Sequence, residues 1–88
     1  MSWTFLSNHG HVIIQLAKEP ELLISELAAR VGITERHAAA IVQDLREAGF
    51  VTVKKVGRRN SYVVKGTKKL RHQAESSKSL SDLLAVFL

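Results

Sequence analysis

The stretch from Ser25 to Phe50, SELAARVGITERHAAAIVQDLREAGF, leaves this chain few ways to fold. Ser25 offers a side-chain oxygen suited to capping a helix, and Leu27, Ala28 and Val31 follow at helical spacing before Gly32 ends the run. Thr34 caps again after a single residue, Ile33. Ala38, Ile41, Val42 and Leu45 then share one face of a second helix, closed by Gly49. Two capped helices therefore meet across a very short turn, and the small Ala28 permits them to cross closely.

The flanking segments extend this unit on both sides. Trp3, Phe5 and Leu6 supply apolar bulk, and Ser7 predicts the cap of an earlier helix with Val12, Ile13, Leu16 and Ala17 buried. Pro20 disfavours helical backbone at Glu19, so this helix stops near Lys18 or Glu19. Gly10 costs the helix about 1 kcal/mol relative to alanine, which implies either a frayed first turn or a backbone passing close by. Leu22, Leu23 and Ile24 predict a minimal strand. Beyond Gly49, two β-rich runs, Phe50 to Val56 and Tyr62 to Val64, surround Gly57-Arg58-Arg59-Asn60 and read as a hairpin with a basic tip. Val51, Val53, Tyr62 and Val64 should face inward, and Thr52, Lys54, Ser61 and Val63 outward, with Val63 an imperfect match. Residues 66–78 are polar and basic without a sustained period and read as a loop or loosely helical linker. Ser79 and Asp82 then approximate a capping box opening a last helix that carries Leu80, Leu83, Leu84, Phe87 and Leu88. The sequence holds no internal repeat.

Composition narrows the chemistry. Eighty-eight residues, 45% of them apolar and only one proline, suit one compact domain. The absence of cysteine excludes thiol nucleophiles, disulfides and thiolate metal sites. No apolar run approaches the roughly 20 residues of a membrane span, and the opening residues lack a signal-peptide layout, so a cytoplasmic protein is expected. Thirteen Lys and Arg oppose eight Asp and Glu, a formal charge of +5. Between Ala48 and Ala74 there is no acid, yet Lys54, Lys55, Arg58, Arg59, Lys65, Lys68, Lys69 and Arg71 all fall there. Such a one-sided field favours a polyanionic partner; the plainer alternative is a solvated basic face.

The 25–50 segment resembles a helix-turn-helix, and followed at once by LREAGFVTVKKVGRRNSYVV it is similar to winged-helix regulators of the MarR and ArsR type, over roughly Ser7 to Lys65. The resemblance implies an α+β, mainly α, winged helix-turn-helix: a three-helix core, a β-hairpin wing and a C-terminal helix. Residues 1–66 would form the DNA-binding domain with its N-terminal extension, and 67–88 a linker and helix for dimerisation. It implies a sequence-selective transcriptional regulator that binds double-stranded DNA. A recognition helix over about 34–48 would lie in the major groove, and a basic wing over 54–65 on the backbone or in the minor groove. Thr34, Arg36, His37, Ala40 and Gln43 are the candidate contacts on the helix. Arg36 suits guanine and Gln43 adenine, but three successive alanines limit polar readout. In the wing the candidates are Lys54, Lys55, Arg58, Arg59 and Asn60, although Asn60 has an alternative role in the turn itself.

The resemblance also implies a homodimer joined through Trp3, Phe5, Leu80, Leu83, Leu84 and Phe87; the alternative is that these ends fold back on their own chain, and either way they should be buried. Some ArsR-type relatives sense metals, but His9, His11, His37 and His72 are spaced poorly for ligation, so no metal and no cofactor is expected. No phosphate-binding loop or nucleophile motif is present, which argues against an enzyme. Any small-molecule effector is unspecified; its place would be a cavity between the first and last helices at a dimer interface. Two rivals remain from other classes: a winged-helix protein interaction module and an RNA-binding winged helix. The concentration of cations favours DNA over the first; competition between duplex DNA and duplex RNA separates the second, since the deep, narrow major groove of A-form RNA excludes a recognition helix.

Overall fold

The computed structural model describes residues 3–88. Its elements are α1 (Asn8–Lys18), α2 (Ile24–Val31), α3 (Glu35–Glu47), β1 (Val51–Val56), β2 (Arg59–Val64) and α4 (Leu80–Phe87). Three helices start where a side chain accepts an amide that has no partner within the helix. Ser7 Oγ accepts from Gly10 N at 3.4 Å, and Thr34 Oγ1 from His37 N at 3.0 Å. At α4 the capping box is complete: Ser79 Oγ accepts from Asp82 N at 3.3 Å, and the Asp82 carboxylate accepts from Ser79 N at 2.9 Å.

α2 departs from the sequence reading. Ser25 lies inside its first turn and Leu23 occupies the cap position, where the Glu26 carboxylate accepts from Leu23 N at 2.8 Å. Ile24 is thereby drawn into the helix, and the strand expected over 22–24 does not form. One ladder-like bond survives nearby, from Tyr62 N to Pro20 O at 2.8 Å, too little to define a third strand. Gly32 ends α2 in the left-handed conformation, φ 83°, which a side chain adopts only at a cost, and so turns the chain sharply towards α3.

α1 is the central element, touching α2, α3, β2 and α4. This explains why Ile14, outside the predicted stripe, is buried with Val12, Ile13 and Leu16. The helix is regular through Gly10, and the close neighbour there is the Leu6 side chain, 3.1 Å from where a Cβ would stand, rather than another backbone. Around α1 gather Leu27 and Ala28 of α2, Ala38, Ile41, Val42 and Leu45 of α3, Phe50, Val51 and Tyr62 of the hairpin, and Leu80 and Leu84 of α4. The C-terminal helix thus joins the same core as the first three.

The hairpin pairs antiparallel, Val51 with Val64, Val53 with Tyr62 and Val56 with Arg59. Only Gly57 and Arg58 form its turn, so Arg59 and Asn60 belong to β2 and not to the tip. Gly57 has φ 63° and is the one turn residue with positive φ, the pattern whose twist matches the flanking strands. Residues 66–79 form a loop closed by its own backbone bonds: Leu70 N to Lys78 O at 3.0 Å, Leu80 N to Lys68 O and Ser81 N to Gly66 O, both at 2.8 Å.

Candidate nucleic-acid interface

α3 divides its residues between two environments with helical period. Ala38, Ile41, Val42 and Leu45 are buried, whereas Thr34, Glu35, Arg36, His37, Ala39, Ala40 and Gln43 are exposed. A 13-residue helix is about 20 Å long, enough to lie along a groove while its buried stripe stays in the core. Two of the candidate contacts already have partners. The Thr34 hydroxyl is committed to the cap, and Gln43 Nε2 donates to Glu47 Oε2 at 3.2 Å. No ion pair among the described residues engages Arg36, so its guanidinium fork is available to a base edge or a phosphate.

The wing candidates also separate. Arg58 stands exposed at the tip, with no ion pair among the described residues. Arg59, by contrast, reaches back to the α1–α2 connection: its Nη2 donates to Glu21 O at 2.9 Å and lies 3.6 Å from Glu26 Oε1. With the Tyr62–Pro20 bond, this contact holds the hairpin against the helices. The sequence carried no sign of it, because the partners are 38 residues apart. Lys54 and Lys55 are both exposed, but adjacent residues on a strand point to opposite faces, so one surface cannot use both. Asn60 pairs with Lys55 in the register.

The acid-free stretch therefore does not form one patch. Lys65 N donates to Phe50 O at 2.7 Å, and Lys68 Nζ lies 5.7 Å from the centre of the Phe50 ring. These residues sit at the root of the hairpin, roughly 17 to 20 Å from the tip by strand rise. Lys69 and Arg71 continue from that root into the loop.

A helix pair with a sharp glycine turn, an exposed second helix and a hairpin beyond it is the geometry of one family, and the family model described as winged helix-turn-helix DNA-binding matches residues 7–52. The chain belongs to this family. Among solved structures, the winged helix is similar to the zinc-dependent MarR-family transcriptional regulator AdcR in its Zn(II)-bound state, with TM-score 0.54 and 25% identity over 74% of this chain and 47% of that one. It thus spans about half the length of that regulator. It also shares its fold with IscR of T. potens, with TM-score 0.61 and 18% identity over 97% of this chain and 89% of that one. No curated protein matches its sequence.

In this winged helix the histidines scatter. His9 Nε2 meets Asp44 Oδ2 at 2.8 Å and links α1 to α3, His11 lies 3.4 Å from Asn8 Oδ1, and His72 Nδ1 accepts from Ala74 N at 3.0 Å. Among the described residues, no three His, Asp or Glu side chains gather as a metal site. Among the described residues, two groups have displaced ionisation. Hydrogen bonds from Ser79 hold the Asp82 carboxyl below the usual carboxylate range, helped by Lys78 and Lys69. Arg30, which donates to Glu19 at 2.6 and 3.2 Å across the α1–α2 connection, is raised above its ordinary value by that bond.

The terminal candidates divide as well. Leu80 and Leu84 are buried in the chain's own core and Leu83 is half-buried. Expected burial fails for the others within the single chain: Trp3 is 70%, Phe5 93% and Phe87 42% exposed. The core around α1 is built from α2, α3, the hairpin and α4, and these three residues lie outside it. A cleft of about 1160 Å³ opens between the N-terminal half of α1, the end of α3, the 70–78 loop and α4. It lies between the first and last helices, where the sequence placed a cavity, and at the opposite end of α3 from the Thr34 cap.

Proposed function

We propose that this winged helix is a sequence-selective, double-stranded DNA-binding transcriptional regulator acting as a cytoplasmic homodimer, without catalytic activity of its own. α3 enters the major groove, where Arg36 pairs with guanine and His37 approaches a phosphate. Ala39 and Ala40 offer only methyl contacts to thymine, and Gln43 reads adenine by exchanging its bond to Glu47 for one to the base. Discrimination is accordingly modest. Arg58 enters the minor groove or grips phosphate at the tip, and whichever of Lys54 and Lys55 faces the duplex adds a backbone contact. Arg59 sets the angle of the wing.

The observation that supports this reading best is the pairing state of the cations: Arg36 on α3 and Arg58 on the wing are exposed and have no ion-pair partner among the described residues, while Arg59 is tied internally. In a symmetric dimer, two α3 helices would meet successive major grooves about 34 Å apart. The test is fluorescence anisotropy on random-sequence duplex DNA across a salt series. Steep loss of affinity with salt supports the reading and justifies selecting an operator. Absent or salt-insensitive binding overturns it in favour of a protein interaction module, and equal affinity for duplex RNA overturns the groove assignment.

A further inference from the structure

The N-terminal arm presents two aromatic rings that nothing among the described residues covers. Trp3 and Phe5 stack edge to face, 5.0 Å between centres and 80° between planes, yet both remain largely in water. The arm is held in this position locally: Thr4 Oγ1 donates to Leu6 O, and Leu6 is seated against Gly10. Beside it lies the cleft, whose floor of Ile13, Leu45, Phe50, Leu80 and Leu83 is apolar and whose wall includes Phe5 and Leu6.

We propose that the occupant of this cleft is the Trp3–Phe5 arm of a second copy, exchanged reciprocally, so that each protomer of the dimer fills the other's cleft. The inference rests on the homodimer reading above and specifies how the copies join. Two observations choose this occupant. Arm and cleft adjoin within one chain, so a two-fold axis passing between them satisfies both insertions at once, as a closed isologous contact requires. The area is also adequate. Each aromatic side chain covers 150–250 Å², so four largely exposed rings and the linings of two clefts remove roughly 1,000 to 1,300 Å² from water, the lower end of the range for a specific interface. The site lies at the far end of α3 from its capped N-terminus and leaves both Arg36 and Arg58 free.

Trp3 is the chain's single tryptophan, which makes it a direct reporter. Sedimentation equilibrium and Trp3 emission with acrylamide quenching should be followed over one concentration series, for the native chain and for Phe5→Ser. The expected result is a doubling of mass, with a blue shift and reduced quenching of Trp3 at the same midpoint. Phe5→Ser should weaken the dimer about 30-fold per arm, near a thousandfold for two, the cost of truncating an aromatic hot spot. Phe5 is so exposed in the single chain that its loss leaves the monomer fold intact, as circular dichroism would verify. A dimer in which Trp3 stays quenchable overturns the exchange while preserving the homodimer. A monomer at every concentration overturns both, and protection of Trp3 independent of concentration shows the arm in its own cleft and overturns the exchange.

Discussion

Arg58 and Arg59 are neighbours in sequence and opposites in structure, and replacing each by alanine separates contact from support. Arg58 has no ion-pair partner among the described residues, so if it grips phosphate as proposed, its removal deletes one such contact per wing. Each such contact contributes about 0.9 to the slope of log affinity against log salt, so a dimer should lose about 1.8 in slope with little change in stability. Arg59 donates one charged hydrogen bond to Glu21 O and faces Glu26 at 3.6 Å. Its side chain is half exposed, so solvent screening limits the pair, and the loss should be about 0.5–1 kcal/mol of folding free energy. For a domain of this size that lowers Tm by about 2–8 °C. Anisotropy titrations across a salt series, with thermal melts of the same samples, read both quantities. Arg59→Ala should weaken DNA binding without altering the slope. A drop in slope equal to that of Arg58→Ala, with unchanged Tm, would refute the assignment of Arg59 as the residue that docks the wing.

Other perturbations probe the scaffold. Leu16 is fully buried in the last turn of α1, so Leu16→Ala should cost about 2–5 kcal/mol in urea denaturation; a loss below 1 kcal/mol would contradict the central position of that helix in the core. Thr34→Ala removes the α3 cap and should cost about 1 kcal/mol, whereas Thr34→Ser should restore it, as thermal melts would show. Asp82 has its carboxyl lowered in the folded chain, so its contribution is present above the unfolded value near pH 3.9 and disappears as pH falls through the depressed folded value. Native protein should therefore lose stability in that acidic window relative to its own neutral value, and Asp82→Asn should flatten this limb; identical acid limbs would count against the capping box as the cause.

Which parts were legible in the sequence follows from how local each feature is. The caps at Ser7, Thr34 and Ser79, the turn at Gly32 and the inward alternation of Val51, Val53, Tyr62 and Val64 each depend on residues a few positions apart, and all appear as expected. The start of α2 was misread because Ser25 and Glu26 are both capping residues, and the one whose carboxylate reaches back to Leu23 N prevails. The four-residue wing tip was misread because Asn60 suits a turn as well as a strand, and it was the pairing of Val56 with Arg59 that decided.

By itself, the sequence determined the helix-turn-helix, the hairpin, the exposed face of α3 and a surplus of positive charge, since periodicity and capping are written in neighbouring residues. Only the tertiary structure decided how that charge is used. It divided the eight cations of the acid-free stretch among the wing, the hairpin root and the loop beyond it, turned Arg59 towards Glu21, gave Leu80 and Leu84 to the core, and left Trp3 and Phe5 in water beside an open cleft. The reason is that a side chain's partner is set by which elements pack together: residues carried against α1 become core, while those that no element packs against stay in water.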